Sequence, residues 1–467
     1  MRGLPSARIV AHSRAVQEPP PTPHDAYDAL RYPGCRDYLI GGFAANVGRQ
    51  MATVAVVWQI YQWTHSATAL GLVGLINVLP LLVLSLPAGM MADRLDRKWI
   101  IAFSSAGMAL LSLLLALVTQ FSAAIPPLPI LAGLNETLAV LARSLEQHPG
   151  ARAMTFDQPA LPIIYGILFL MAILRILGWP SRSAIIPLLV PAKSLSNAVT
   201  WNSSAFEIST MLGPAIGGFL LAWAGYPAVY VLDAICGLSL ALLIGRVRYE
   251  TPPASASADS RSLRGIWAGV EFIWNKKAIL AASSLDLFAV LLGGAVALLP
   301  IYAEEILHAG PIGLGWLRAA PSIGAFSMAL WLAHRRPLQQ PGVTLLWVVA
   351  GFGLSIIVFG FSPWFWLSLL ALFFTGVFDN ISVVVRQSLV QLLTPDSLRG
   401  RVTAVNQIFI GSSNEIGTLR AGLMAAVTGP VAAVVIGGIG TIAVVIGVAR
   451  FLPQLRATPA LDKLKAD

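Results

Sequence analysis

The sequence predicts an all-α membrane protein with twelve transmembrane helices in two pseudo-symmetric six-helix halves. Three observations predict it. The 467-residue chain is 56% hydrophobic and only 11% charged, against about 25% charged in soluble domains. Its apolar runs are long enough to cross a hydrocarbon core of about 30 Å. Finally, Arg182-Ser-Ala-Ile-Ile-Pro-Leu-Leu-Val-Pro191 is echoed by Arg386-Gln-Ser-Leu-Val-Gln-Leu-Leu-Thr-Pro395, and Asn202 and Asn406 follow at the same offset of 204 residues. A repeat at that spacing divides the spans six and six.

The runs fall near 38–63, 67–92, 98–120, 162–187, 201–224, 227–246, 279–302, 312–334, 342–361, 364–392, 403–428 and 430–452. Lys and Arg set their orientation. One side holds Arg31, Arg36, Arg94, Arg97, Lys98, Lys193, Arg246, Arg248, Arg261, Arg264, Lys276, Lys277, Arg335, Arg336, Arg399, Arg401 and the basic C-terminal tail; the other holds only Arg143 and Arg152. Positive loops mark the cytoplasmic side, so both termini are expected there. The same placement accounts for the net charge of +9 and removes the argument for nucleic acid as a partner.

The expected organisation follows. Residues 1–35 form a disordered cytoplasmic tail, with Pro19-Pro20-Pro21-Thr22-Pro23 and no apolar core of a signal peptide. Residues 36–248 are the first half and 278–452 the second; 249–277 are a cytoplasmic linker, and 453–467 a tail. The linker core from Glu250, ETPPASASADSRS, is a flexible Pro/Ala/Ser spacer. An insertion at 121–161 interrupts the first half. Within it Leu138, Leu141, Ala142 and Leu145 recur at helical spacing, which predicts a short surface helix over Asn135–Glu146. Asn135-Glu136-Thr137 is also a glycosylation sequon. Cys35 and Cys236 are placed too differently to form a disulfide, and the six histidines are scattered, without metal-ligand spacing. There is no Gly-rich phosphate loop and no nucleophile–base constellation. No cofactor and no enzymatic activity are expected.

Two motifs carry mechanical readings. Gly89-Met90-Met91-Ala92-Asp93-Arg94-Leu95-Asp96-Arg97-Lys98 joins the second and third spans. A contact of Asp93 with Arg97 or with a helix N-terminus, made in one state only, would latch a gate. In the fifth span Gly213, Gly217 and Gly218 permit close helix approach, while Pro214 frees a carbonyl and favours a bend. Gly89, Asp93, Arg94, Arg97, Lys98, Gly213, Pro214, Gly217 and Gly218 are therefore the candidate gating residues.

These motifs carry a resemblance. Gly89-x-x-x-Asp93-Arg94-x-x-Arg97-Lys98 resembles the loop 2–3 signature of the major facilitator superfamily, with Asp96 in place of the usual Gly. Gly213-Pro214-Ala215-Ile216-Gly217-Gly218 resembles the signature of its proton-coupled exporters. Leu285 through Pro300, Thr394 through Val402 and Gly411-Ser-Ser-Asn-Glu-Ile-Gly417 are similar to the enterobactin-exporter-like transmembrane secretion effectors. The resemblance spans roughly 36–450 and implies the major facilitator fold. It further implies a monomer in the bacterial inner membrane that exports a siderophore or similar amphipathic small molecule by proton antiport and alternating access. The alternatives are a broad multidrug efflux antiporter and a lipid flippase; a non-transporting sensor is the rival from another class.

Ionisable side chains inside spans are costly and usually functional. Arg49, Arg175, Arg182, Asp286, Asp379 and Arg386 lie on spans one, four, seven and ten, which line the central cavity in the family resembled. By residue count Arg49, Arg175, Asp379 and Glu415 fall near mid-depth; Asp286 and Glu207 fall nearer the inner face, and Arg318, Arg420 and Asp233 nearer the outer. Arg49 and Arg175, with Asn46 and Trp58, are expected to hold an anionic or phenolic group of the substrate, and Asp379 and Glu415 to face it. Asp286 is the expected proton carrier, with Glu207 or Asp379 as alternatives. A static buried pair such as Arg175–Asp379 is the competing reading.

Overall fold

The computed structural model describes residues 25–126, 129–146, 154–249, 263–335, 339–456 and 459. Arg152, His148, the linker core 250–262, Arg336 and most of both tails lie outside these residues. Among the described residues there are helices and turns and no strand. The early helices are α1 (Pro33–Thr64), α2 (Ala67–Arg94), α3 (Arg97–Gln120), α4 (Pro129–Leu145), α5 (Leu161–Leu189) and α6 (Leu195–Arg246). Beyond 250–262 come α7 (Leu263–Asn275), α8 (Lys277–Leu292), the short α9 (Leu299–Ile301) continued by a π turn over Tyr302–Ile306, α10 (Gly310–Ala333), α11 (Pro341–Phe361), α12 (Phe365–Leu393), α13 (Asp396–Thr428) and α14 (Pro430–Phe451).

Among the described residues, eight helical stretches are long and apolar enough to cross a membrane; α1, α10 and α13 are as long but more polar. The predicted fifth and sixth spans form one stretch that turns at Gly225, where φ is +77°. That backbone is open to glycine and strained for side chains. Pro214, by contrast, sits in regular helix, so the break in α6 lies eleven residues past the expected bend.

Local chemistry places the ends. Ser66 caps α2 by accepting from Ala69 N, and the Asp96 carboxylate caps α3 by accepting from Lys98 N at 3.0 Å. The connection between α2 and α3 is therefore only Leu95–Asp96, and the segment Gly89–Arg94 is helix rather than loop. Asp96 has φ −63°, so no glycine is required there.

Three expected segments gain structural detail. Residues 25–35 are ordered: a turn at Asp28–Arg31 precedes α1, Asn197 accepts from Ala29 N, and Tyr27 stacks on Trp201. The second half of the predicted linker is α7, whose Ile273 packs with Val402 and Val405, and whose Gly269 sits against the Arg401 backbone. In the insertion, α4 begins at Pro129. It buries Asn135, Ala139 and Ala142, while Leu141 is exposed. Asn135 donates to Gln158 O and is buried, so its amide is closed to a glycan.

The N-terminal end, the α2–α3 turn and the end of α6 share one face, where Gly34 lies against Val247, Lys98 Nζ donates to Val247 O and Tyr249 donates to Asp96. This is called the terminal face, and the opposite one the far face. α1 packs on α6, and α3 on α5 and α6; α11 packs on α12 and α14, and α10 on α12. Contacts of α2 with α13 and of α6 with α10 join helices before 250 to helices after 262. The core follows this seam. One cluster mixes Tyr61, Leu115, Leu161 and Tyr230 with Leu298, Tyr302, Phe359 and Ala425. Toward the terminal face it divides. Cys35, Tyr38, Ile185 and Ile244 pack apart from Leu285, Leu345, Val385 and Leu455.

Candidate functional site

The seam is close-packed in its far half. A Cβ on Gly218 would lie 2.4 Å from Pro311 O, and one on Gly315 2.5 Å from Pro214 O. A Cβ on Gly422 would meet Gly71 Cα at 2.4 Å, and one on Gly74 would meet Glu415 O at 2.5 Å. Small residues at these crossings let backbones touch. Tyr61 adds a hydrogen bond to Glu305 across the seam. Past Leu81, which lies against Gly411, Leu82 and Val83 of α2 are exposed. Gly213 and Gly217 serve a different contact, seating Gln50 and Met51 of α1.

Where the packing ends, ionisable groups begin. Arg175 Nη2 of α5 donates at 3.3 Å both to Glu415 Oε1 of α13 and to Asn77 Oδ1 of α2. Glu415, rather than Asp379, is thus the partner of Arg175. Arg318 of α10 is within electrostatic reach of Glu415 but makes no hydrogen bond or ion pair among the described residues. Beside Arg175 lies a cavity of about 130 Å³. Arg49, Thr53, Asn77 and Asp233 give it polarity; Met108, Leu115, Leu168 and Met171 are among its apolar walls. Arg49 donates to Asn46, which holds its guanidinium from the same helix face.

Trp58 is not part of this wall. It is 5% exposed and belongs to the joint core. Asp233 is the residue that depth counting misplaced. It packs against Gly48 and accepts from Ser112 Oγ at 2.5 Å, at the level of Arg49 rather than nearer the far face. The turn at Gly225 sets the second part of α6 out of register with α1. Sequence reasoning also passed over Asn77, although a lone amide in the apolar run of α2 was a signal, and it left Arg318 without a role.

The acids of the later helices form a separate group. Asp286 of α8 and Arg386 of α12 are paired at 2.9 Å, with side chains 7% and 3% exposed. Asp379 lies beside Asp286 on a cleft of about 10 Å³. Glu207 of α6 is half-buried and within electrostatic reach of Asp379. The predicted residues therefore gather in two places, around Arg49–Arg175–Glu415 and around Asp286–Arg386–Asp379. The exposed Trp364, between α11 and α12, and Trp366, in the first turn of α12, line neither place.

At the terminal face Arg97 donates to Ala92 O and Ala184 O, and Lys98 Nζ to Val247 O. Asp96 receives Tyr249 Oη as well as Lys98 N. Burial and the hydrogen bond to Asp96 push the Tyr249 phenol up to about 12, so it remains a donor at working pH. Gly89 is buried and Arg94 exposed, both in the last turns of α2; Asp93 is half-buried there. Both cysteines are free, and no group of His, Cys, Asp and Glu suited to a metal occurs among the described residues.

A body of long apolar helices with charged side chains gathered in its interior is that of a multi-pass membrane protein. The chain belongs to the transmembrane secretion effector family of the major facilitator type, whose profile matches residues 26–141 and 152–466. It is 27% identical over 434 residues to the multidrug efflux pump Tap of Mycolicibacterium fortuitum, covering 91% of this chain and 97% of that one. It is 25% identical over 429 residues to the enterobactin exporter EntS of Citrobacter koseri, covering 91% and 93%. Among solved structures, a bacterial homologue of the human lysosomal transporter Spinster, inward-facing and unoccupied, superposes with a TM-score of 0.62 at 16% identity, covering 91% and 98%. The inward-open xylose transporter XylE of E. coli superposes with a TM-score of 0.60 at 13% identity, covering 90% and 95%. These two likenesses concern the fold alone.

Proposed function

We propose that the protein is a twelve-span secondary exporter. Its two six-helix halves, 36–248 and 278–452, rock about the seam to give alternating access, with both termini on the cytoplasmic side of the bacterial inner membrane. The observation that carries this reading is the division of the core. One cluster spans both halves at the far face and separate clusters fill each half at the terminal face. Such packing leaves the seam closed at one end and free to part at the other.

The cargo is a siderophore or a comparable amphipathic small molecule, moved outward against protons. Arg49 and Arg175 attract its anionic or phenolic group, and the apolar walls hold its body. Asp286 carries the proton: protonation removes the ion pair that ties α8 to α12, and release restores it. Broad multidrug efflux is the second reading. The flexible side chains of Met108 and Met171 in the cavity wall favour it, and Tap is a pump of that kind.

Uptake into inverted vesicles with an acid lumen, measured over a panel of siderophores and drugs, tests the proposal. Uptake should follow the gradient and should be lost in Asp286→Asn. Indifference of every compound to the gradient removes the antiport reading. Response of many unrelated drugs selects the multidrug one.

A further inference from the structure

Resting on the reading of Arg175 as a substrate group, we infer that Arg175, Asn77 and Arg318 form a carboxylate-binding site. Glu415 fills it from within in this state, and a carboxylate of the cargo displaces Glu415.

The first ground is unmet hydrogen bonding. A guanidinium presents five N–H donors in a rigid fork that suits a carboxylate bidentately. Other arginines within the helix bundle also use only part of that capacity on protein. Arg420 donates to Leu291 O and Leu292 O, Arg386 pairs with Asp286, and Arg182 donates to Ser105 Oγ. In Arg175 both bonds come from Nη2, both are 3.3 Å long, and Nε and Nη1 reach no protein acceptor among the described residues. Arg318 reaches none at all among the described residues. Cations left so open inside a membrane protein are costly and mark a ligand's place.

The second ground is the geometry of Glu415 itself. Its bond to Arg175 is about half an ångström longer than a charge-assisted hydrogen bond normally is. Asn77 shares in holding the Glu415 carboxylate, and α13 is packed against α2 at Gly74, where a Cβ would lie 2.5 Å from the Glu415 carbonyl oxygen. A carboxylate not tied to α13 can seat on the fork in full.

The consequence joins binding to movement. Asn77 and Arg175 belong to helices before 250, Glu415 and Arg318 to helices after 262. The Arg175–Glu415 bond therefore bridges the seam, and a cargo carboxylate that takes Arg175 removes the bridge as it binds. Arg49 and Asp233, on the same cavity wall as Arg175, are then the next polar groups the cargo meets.

Chemical rescue tests this in the full-length protein reconstituted in nanodiscs, with acetate as the probe. In Glu415→Ala the vacated site should bind acetate, seen as a saturation-transfer NMR signal several-fold above wild type. Acetate should also restore at least half of the lost thermal midpoint. Sulfate at equal ionic strength should not, and Glu415→Ala combined with Arg175→Met or Arg318→Met should lose the response. Glu415→Gln, which keeps the side-chain size, serves the same comparison if the alanine variant does not fold. An acetate response absent from both variants, matched by sulfate, or retained without Arg175 overturns the inference. The readouts need no transport, so failure of the exporter reading and failure of this one are separate results.

Discussion

Asp286→Ala should be among the most damaging single substitutions in the chain, and a second change should repair it. At the observed 2.9 Å the Asp286–Arg386 attraction is about 6 kcal/mol at an effective dielectric of about 20, before desolvation is subtracted. The pair is nearly inaccessible, and Arg386 Nε already lacks a partner. Removing the carboxylate therefore leaves an uncompensated cation in the core, at a cost of about 3–5 kcal/mol. Replacing both residues with apolar groups of similar volume, as in Asp286→Leu with Arg386→Met, removes both charges and should recover most of that loss. The assay is thermal unfolding of purified protein followed by tryptophan fluorescence, with vesicle transport measured on the same samples. The single variant should unfold at a clearly lower temperature, and the double variant near wild type, yet both should lack gradient-driven uptake. A double variant as unstable as the single one would refute the electrostatic reasoning. A stable double variant that still responds to the gradient would refute the assignment of Asp286 as proton carrier.

Gly218→Val should hinder closure of the far half of the seam, because its Cβ would lie 2.4 Å from the Pro311 carbonyl oxygen and cannot be relieved by a side-chain rotation; disulfide cross-linking between cysteines placed on α6 and α10 at the far face should fall several-fold. Glu146→Ala should cost about 1–3 kcal/mol, since it leaves the buried Thr68 N–H and Ser66 hydroxyl without their shared acceptor; thermal unfolding measures it. Tyr249→Phe should cost about 0.5–1.5 kcal/mol through loss of the hydrogen bond to Asp96 and of the longer one accepted from Lys98 N. With the phenol pushed up to about 12, that loss should be the same at about pH 6 and about pH 8, well below the range in which the phenol ionises; a loss that shrinks toward pH 8 would count against the donor role.

Much of the fold was legible because its signals are local. Apolar length, charge bias and turn residues lie within single segments, and helix covers nearly all of each predicted span, with a break at Gly293–Gly294. The segments that gained detail depend on partners distant in sequence. Nothing near Ala29 announces that Asn197 will order it, and α7 is recognisable only once Val402 and Val405 are beside Ile273. The site was legible by residue type and not by pairing. Arg49, Arg175, Asp286 and Glu415 stood out as charges in apolar runs, whereas depth counting cannot register two helices against each other. The competing static-pair reading therefore offered Asp379 for Arg175, and the count lifted Asp233 away from Arg49.

Among the described residues, the two ion pairs of the interior differ in a way that bears on mechanism. Asp286–Arg386 joins two helices on the same side of residues 250–262, is tight, and is almost sealed. Arg175–Glu415 joins helices from opposite sides, is longer, and is partly open, with side chains 35% and 20% exposed. A movement that parts the seam must break the second and can leave the first intact. The cross-seam pair is then suited to sensing cargo, since a ligand can compete for a weak, accessible bond. The sealed pair is suited to a proton, which needs no cavity of its own size. In the proposed exporter, cargo and proton would act on separate pairs, and their coupling would run through the positions of α8, α12 and α13, which are packed against one another.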